Sequence, residues 1–338
     1  MAKPASRLSS EIDFERKGKH EGFVRLPHSV HRSAYGWIPI PIASIKNGKG
    51  PRVLLMSGNH GDEWEGQVTL MKLLRALEPR DVRGRLIFLT AANFPAVMAG
   101  TRTSPIDGGN LNRCFPGDPD GGPTMQIAYY IENVLLPQCD YVIDLHSGGS
   151  SLMYVPSALV RREKDARRMA HAVALLKVFG APVGYVVDAP VGEDRTLTAA
   201  ASRQNVYHLG SELGGSGAVT PAALAAAEAG IRRVLGLIGA LAKPPKAPPP
   251  PTRLLEVRGS DYFVYAPEAG IFEPLIELGD EVAAGQKAGA IHFPDTPWRK
   301  PAVARFARAG TVICKRHPAL CERGDCLFHL GTPYKGPM

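Results

Sequence analysis

Cysteine is scarce and irregularly placed: Cys114, Cys139, Cys314, Cys321 and Cys326 are the five thiols of 338 residues. An odd count of that kind does not make a disulfide framework, and without a C-x-x-C pair it argues against a thiolate metal cluster. Reduced thiols fit a cytoplasmic setting. No stretch approaches eighteen uninterrupted apolar residues, so no membrane span is expected. The first twenty residues carry Lys3, Arg7, Glu11, Asp13, Glu15, Arg16 and Lys17 and lack the apolar core of a signal peptide. These absences lead to the expectation of a soluble, cytoplasmic protein with no membrane partner.

What is present is ordinary for a folded chain: 44% hydrophobic and 21% charged residues. At this length two domains are the default expectation. The net charge is +8 and the pI about 9.3, which admits nucleic acid, a membrane surface or an acidic substrate as partners. The densest basic cluster, Arg161, Arg162, Lys164, Arg167 and Arg168, is interleaved with Glu163 and Asp165. It reads as a solvated helix face, and no nucleic-acid motif accompanies it.

Residues 243–251 read KPPKAPPPP, a run that cannot continue a helix and favours an extended linker. Before it, strand and helix signals alternate. Strands are expected at Val53–Met56, Arg85–Leu89, Tyr141–Ile143 and Val206–Leu209. Helices are expected at Leu70–Leu77, Ile127–Leu136, Arg168–Phe179 and Ala222–Leu241. Alternation implies an α/β fold, a mixed, mainly parallel sheet with helices on both faces. Ligand sites in such sheets lie beyond the carboxyl ends of strands. After the linker, short segments at Tyr262–Tyr265, Gly270–Phe272, Leu275–Asp280 and Gly310–Ile313 are cut by Gly and Pro and read as all-β. The expected division is a catalytic domain over 1–242, a linker over 243–251 and a C-terminal β-rich, barrel-sandwich-like domain over 252–338.

Four motifs carry chemistry. In Gly58-Asn59-His60-Gly61-Asp62-Glu63-Trp64-Glu65-Gly66, His60 and Glu63 can converge on one ion from a tight strand-to-helix turn. H-x-x-E alone is common by chance; the flanking glycines strengthen it by permitting the turn. Asp144-Leu145-His146-Ser147-Gly148-Gly149 follows a strand, and His146 would be a third ligand, leaving the open position that catalytic zinc requires. Standing alone, His146 would be read as a hydrogen-bonded loop histidine. Ser211-Glu212-Leu213-Gly214-Gly215 offers Glu212 as a general base, or otherwise as a capping or solvated acid. In Asn110-Leu111-Asn112-Arg113-Cys114-Phe115-Pro116-Gly117, Arg113 could grip a carboxylate through two hydrogen bonds, with Asn112 adding a donor. Arg102, earlier in the chain, could polarise a scissile carbonyl; the competing reading of both arginines is a surface loop held by salt bridges.

Together, in this order, the motifs resemble the succinylglutamate desuccinylase and aspartoacylase family, relatives of the zinc carboxypeptidases. The resemblance spans most of residues 20–335, including a β-rich C-terminal domain. It implies a zinc-carboxypeptidase-like fold, one zinc ion per chain held by His60, Glu63 and His146, and Glu212 as the base. It matches Asn112 and Arg113 to the carboxylate-binding pair. Arg102 matches the carbonyl-polarising arginine if three extra residues are accepted in Thr103–Gly109. Within the family, the stretches GNHGDEWEG, RTSPIDGGNLNRCFPG, DLHSGG and SELGG most resemble the bacterial deacetylases of ectoine breakdown, which release acetate from N2-acetyl-L-2,4-diaminobutanoate; Trp64 stands where that subgroup would show Tyr.

The expected function is therefore a metal-dependent amidohydrolase that removes a small acyl group, acetyl by resemblance, from an N-acyl amino acid. Its alternatives are deacylation of another N-acyl amino acid and a zinc carboxypeptidase acting on peptides. From a different class comes a non-catalytic carrier or binding protein, with Lys287 as the modified residue. Gly285-Gln286-Lys287-Ala288 lacks the acidic or Met neighbours that such a lysine needs. Manganese, cobalt or iron would also suit nitrogen and oxygen ligands. A homo-oligomer is the base-rate expectation, and residues reading the substrate side chain are expected in loops such as Val183–Thr198.

Overall fold

The computed structural model describes residues 4–188 and 193–337. In chain order the strands and helices are β1 (Ser9–Ser10), β2 (Gly18–Pro27), β3 (Trp37–Asn47), β4 (Arg52–Ser57), α1 (Trp64–Ala76), β5 (Gly84–Leu89), α2 (Phe94–Ala99), α3 (Pro123–Tyr130), β6 (Tyr141–His146), β7 (Leu152–Tyr154), β8 (Ser157–Arg161), α4 (Ala166–Phe179), β9 (Val183–Val187), α5 (Leu197–Arg203), β10 (Tyr207–Glu212) and α6 (Pro221–Leu237). There follow β11 (Arg253–Val257), β12 (Phe263–Tyr265), β13 (Gly270–Pro274), β14 (Glu281–Val282), β15 (Lys287–His292), β16 (Ala302–Arg305), β17 (Gly310–Arg316), β18 (Leu320–Cys321) and β19 (Cys326–Pro333).

The expected strands and helices before the linker are present with shifted ends, the helix expected at Ile127–Leu136 running from α3 into a π-helical turn at Ile131–Leu135. Helix α1 starts at Trp64, directly after Glu63, because nothing in Trp64–Thr69 breaks a helix and Glu65 favours the first turn. Helix α6 stops at Leu237, ahead of Gly239 in the left-handed region. Thr196, Thr220 and Asp165 cap α5, α6 and α4 through side-chain oxygens that accept backbone N–H bonds. The segment Leu275–Asp280 is a turn rather than a strand, because Asp280 folds back to accept a hydrogen bond from the Glu277 N–H. The β2–β3 hairpin pairs Gly18–Pro27 with Trp37–Asn47, and Pro39 and Pro41 alternate with Ile38 and the buried Ile40 and Ile42, which obscures the strand in the sequence.

The centre of the large sheet runs β3-β5-β4-β6-β10-β8-β9-β11-β19. Pairs β5–β4, β4–β6 and β6–β10 are parallel, as are β8–β9 and β9–β11, whereas β10–β8 is antiparallel. Side chains alternate between its faces. Val53 and Leu55 join a core with α1, α4 and α6, while Leu54 and Met56 join one with α3 and α5. Burying a Leu or Phe side chain stabilises by about 1.5–3 kcal/mol, so these two layers dominate the packing energy. The sheet does not stop at the proline-rich stretch. Strand β11 pairs in parallel with β9 and antiparallel with β19, which carries the sheet into the C-terminal strands. A second sheet, β16-β15-β13-β18, lies beside it. Lys287 opens β15 opposite Arg305, inside a ladder and not at a hairpin tip.

Two arginines of the basic cluster, Arg162 and Arg168, are engaged within the fold. Arg162 pairs with Asp188 and Glu256, and Arg168 lies over the Tyr207 ring and donates to Asn205. No helix among the described residues is long and apolar enough to cross a membrane.

The third core, formed by the C-terminal strands and β9, holds His329 buried against Phe263 with ring centroids 4.4 Å apart. Neither ring nitrogen has a hydrogen-bond partner, and burial pushes its pKa down to about 3. Because the folded value lies below the unfolded value of 6.5, the unfolded chain binds a proton that the folded chain refuses. Stability attributable to this group is intact above pH 6.5 and is lost as pH falls toward about 3, at up to ~1.4 kcal/mol per pH unit. His329→Phe is expected to flatten the fall in melting temperature between neutral and acid pH; an unchanged slope would contradict this.

Candidate metal centre

Each site residue stands at or just beyond the carboxyl end of a strand, or in a loop that returns there. After β4 the chain turns at Gly58, and Gly61 passes against α2 so closely that a Cβ would lie 2.0 Å from the Ala96 carbonyl oxygen. This contact fixes His60 and Glu63 at the mouth of the sheet. Strand β6 places Asp144 and His146 on one face, as two-residue spacing requires. Strand β10 lies parallel to it in a register that sets Glu212 opposite His146 and Gly210 opposite Asp144.

The geometry centres on the Glu63 carboxylate, which is buried. Its Oε1 lies 2.6 Å from His60 Nδ1, and its Oε2 lies 2.7 Å from His146 Nδ1. The outer nitrogens are already engaged. His60 Nε2 contacts Asn110 Oδ1 at 3.2 Å, and His146 Nε2 contacts Asp144 Oδ2 at 2.7 Å. Both outer partners are acceptors, so each imidazole donates outward, and a neutral ring then presents its Nδ1 lone pair to the carboxylate. Two neutral rings and a carboxylate confronting one another would need a cation, a proton or a metal ion, between them. The three residues each offer a donor atom within 4.8 Å of the others, and imidazole nitrogen and carboxylate oxygen are donors that zinc takes. The triad can therefore hold a divalent metal.

Charge balance tells the same story. Burial works to raise the Glu63 pKa, but the adjacent His60 and His146 outweigh it and hold the group low. For His146 burial works downward, and the Asp144 and Glu63 carboxylates override it to push the pKa well up. Glu212 is pushed well up by burial and then by the Glu63 charge, and its Oε2 has no partner. A dication beside it would draw that pKa back down.

The candidates named from the motifs meet here. His60, Glu63, His146, Glu212, Arg102, Asn112 and Arg113 all line one cavity of ≈ 250 Å³. Arg102 Nη1 lies 3.3 Å from His60 Nδ1 and 3.5 Å from Glu63 Oε1. Asn112 Oδ1 accepts from the Leu197 N–H at 2.9 Å, so its amide NH2 is the end left for a ligand. Arg113 lies 3.4 Å from the Glu193 carboxylate and donates to the Asn112 carbonyl at 2.7 Å. In the expected recognition loop Val183–Thr198, residues 189–192 lie outside the described residues; Thr198 lines the cavity.

Sequence reasoning gave no role to the residues that hold the ligands. Asp62 Oδ2 accepts from the Ser150 N–H and hydroxyl, both at 2.8 Å. Glu65 Oε1 accepts from the Gly215 N–H at 2.9 Å. The acids flanking Glu63 thus tie down the turns that follow His146 and Glu212. Asp144 also accepts from Asn59 Nδ2 at 3.2 Å. The D-x-H spacing could have revealed Asp144, since i and i+2 share a strand face. Nothing in the sequence announces the long-range reach of Asp62 and Glu65.

Comparison with known proteins places this geometry among relatives. Residues 49–238 match the succinylglutamate desuccinylase/aspartoacylase catalytic domain. The chain is 39% identical over 322 residues to the N-alpha-acetyl-L-2,4-diaminobutyric acid deacetylase of Halomonas elongata, covering 95% of this chain and 94% of that protein. The product-bound structure of the ectoine utilization protein EutE from Ruegeria pomeroyi superposes with a TM-score of 0.93 at 39% identity, over 98% of this chain and 100% of that one. A succinylglutamate desuccinylase/aspartoacylase structure from Rhodobacter sphaeroides gives 0.92 at 38% identity, over 98% and 100%.

Replacing Asp144 by Ala leaves the three candidate ligands in place and removes the acceptor that orients His146. Metal affinity, measured by competition with a chromophoric chelator, is expected to fall about 10- to 100-fold. Unchanged affinity would mean that the imidazole is held by packing alone.

Proposed function

The chain belongs to the succinylglutamate desuccinylase/aspartoacylase family, and on that premise we propose that it is a zinc-dependent deacetylase of N2-acetyl-L-2,4-diaminobutanoate, acting in ectoine breakdown with one zinc ion per chain. The observation that carries this reading is the convergence of the His60–Glu63–His146 triad, a Glu212 whose buried Oε2 has no partner and the Asn112–Arg113 pair on one small cavity. The names of the relatives from Halomonas elongata and Ruegeria pomeroyi support the substrate.

A zinc ion held by the triad supplies Lewis acidity to the scissile carbonyl and to the attacking water. Glu212 takes the proton that this water loses as its oxygen adds to the amide carbon. Arg102, aimed at the same centre, places positive charge where the oxyanion develops. Arg113 and the free amide NH2 of Asn112 grip the α-carboxylate and hold the amide in line. Glu212 then returns its proton to the nitrogen as the carbon–nitrogen bond breaks, releasing acetate and the free amino acid.

A peptidase cleft is less well supported. Leu152 and Tyr154 of β7 wall the cavity, and β7 is itself held by pairing with β17, Tyr154 opposite Cys314. The C-terminal strands thus buttress a wall of a space sized for a small substrate.

The test is hydrolysis by the metal-loaded protein of N2-acetyl-2,4-diaminobutanoate, acetylaspartate, succinylglutamate and a blocked dipeptide. The first is expected to dominate in kcat/KM. Glu212→Gln should keep its metal and lose about 10²- to 10⁴-fold in kcat. Wild-type turnover in that variant would remove Glu212 from the mechanism, and preference for the dipeptide would favour the carboxypeptidase reading.

A further inference from the structure

The cavity does not end at the triad. On β10, Glu212, Gly210 and His208 share one face, and below Glu212 the absent side chain of Gly210 leaves a passage. A Cβ at Gly210 would sit 3.1 Å from Leu159 Cγ and 3.2 Å from His208 Cε1, narrowing that passage. Beyond it stand the His208 imidazole and the Thr198 hydroxyl, with Nε2 and Oγ1 3.4 Å apart, too long for a strong bond between them. The Asp144 carboxylate faces the same strip, since Asp144 pairs with Gly210 in the ladder, and its Oδ1 has no partner.

These groups are acceptors in excess. Burial pushes the His208 pKa down to about 4, so the ring is neutral near pH 7 and offers a lone pair. The charges that act on it are those of Asp144 and His146. A carboxylate placed here would face the Asp144 carboxylate, whereas an ammonium would meet a hydroxyl, an imidazole and a carboxylate. Asn112 sets the direction. Its Oδ1 is pinned to the Leu197 N–H, one residue from Thr198, so an α-carboxylate held by Asn112 puts the neighbouring side chain at this passage.

We infer that the space past Gly210, ending at His208 and Thr198, is the subsite for the substrate's amino-acid side chain, and that it selects a short chain ending in an ammonium over one ending in a carboxylate. This rests on the N-acyl amino acid deacylase reading and assigns residues to its specificity. His208 acts as a specificity residue, and Gly210 as the residue that keeps the passage open.

The experiment compares kcat and KM for three substrates of similar length: N2-acetyl-2,4-diaminobutanoate, N-acetyl-2-aminobutanoate, which lacks the ammonium, and N-acetylaspartate. Wild type, His208→Leu and His208→Gln are each measured with metal content as the check on folding. In His208→Leu the preference for the diamino over the monoamino substrate should shrink at least about tenfold, because a site built to hydrogen-bond a group loses its discrimination with the partner. The change should lie mainly in KM, and His208→Gln, which keeps an acceptor, should recover part of it. A preference unchanged in His208→Leu, with wild-type turnover intact, would overturn the subsite and leave the deacylase reading standing. Failure of the metal-loaded wild type to cleave any of the three would overturn the reading and this inference with it.

Discussion

Two imidazole nitrogens and a carboxylate that face one another hold together only with a cation, a proton or a metal ion, among them. That confrontation, His60 and His146 across the Glu63 carboxylate at 2.6 and 2.7 Å, is the constraint around which the rest is arranged. Asn110 and Asp144 accept the outward-facing N–H groups and thereby turn the lone pairs inward. Burial keeps water from relieving the charge. A buried site of this kind would destabilise an apo protein on its own terms, which is why such groups are held in place by surrounding hydrogen bonds.

The architecture supplies those bonds from far away in sequence. The parallel β4–β6–β10 ladder brings His60, His146 and Glu212 to one rim. Asp62 and Glu65, on either side of the ligand Glu63, then reach across to the turns after His146 and Glu212. One strand-to-helix turn therefore sets both the candidate metal ligands and the placement of Glu212. The C-terminal strands contribute by pairing β17 with β7, whose Leu152 and Tyr154 wall the cavity. Metal site, base and substrate space are thus coupled through a few backbone ladders.

Much of this was legible in the sequence because its carriers are local. H-x-x-E, D-x-H and the strand–Ser–Glu–Leu–Gly–Gly turn place ligands and base within a few residues of strand ends, and apolar runs such as Val53–Met56 mark the buried parallel strands. Residues whose roles depend on pairing across the sheet were silent. His208 looks like an ordinary strand histidine until Gly210 is seen beneath Glu212 and beside Leu159. Glu65 looks like a first-turn helix acid until Gly215 is found at 2.9 Å. The β2–β3 hairpin escaped although Val24 and Leu26, and Ile40 and Ile42, alternate as strand residues do, because Pro39 and Pro41 within the run argue against a strand. The proline run at 243–251 reads as a break in sequence, yet the sheet passes through β11 directly after it.

The central claim is that the triad holds a single divalent ion, zinc, and that this ion is what the buried charges are arranged around. Elemental analysis of the purified, dialysed protein and of a His146→Ala variant tests it most directly. The account predicts about one zinc per chain in the wild type and a near-complete loss in the variant. Zinc retained at full stoichiometry in His146→Ala, or no divalent metal taken up by the wild type when it is supplied, would contradict it.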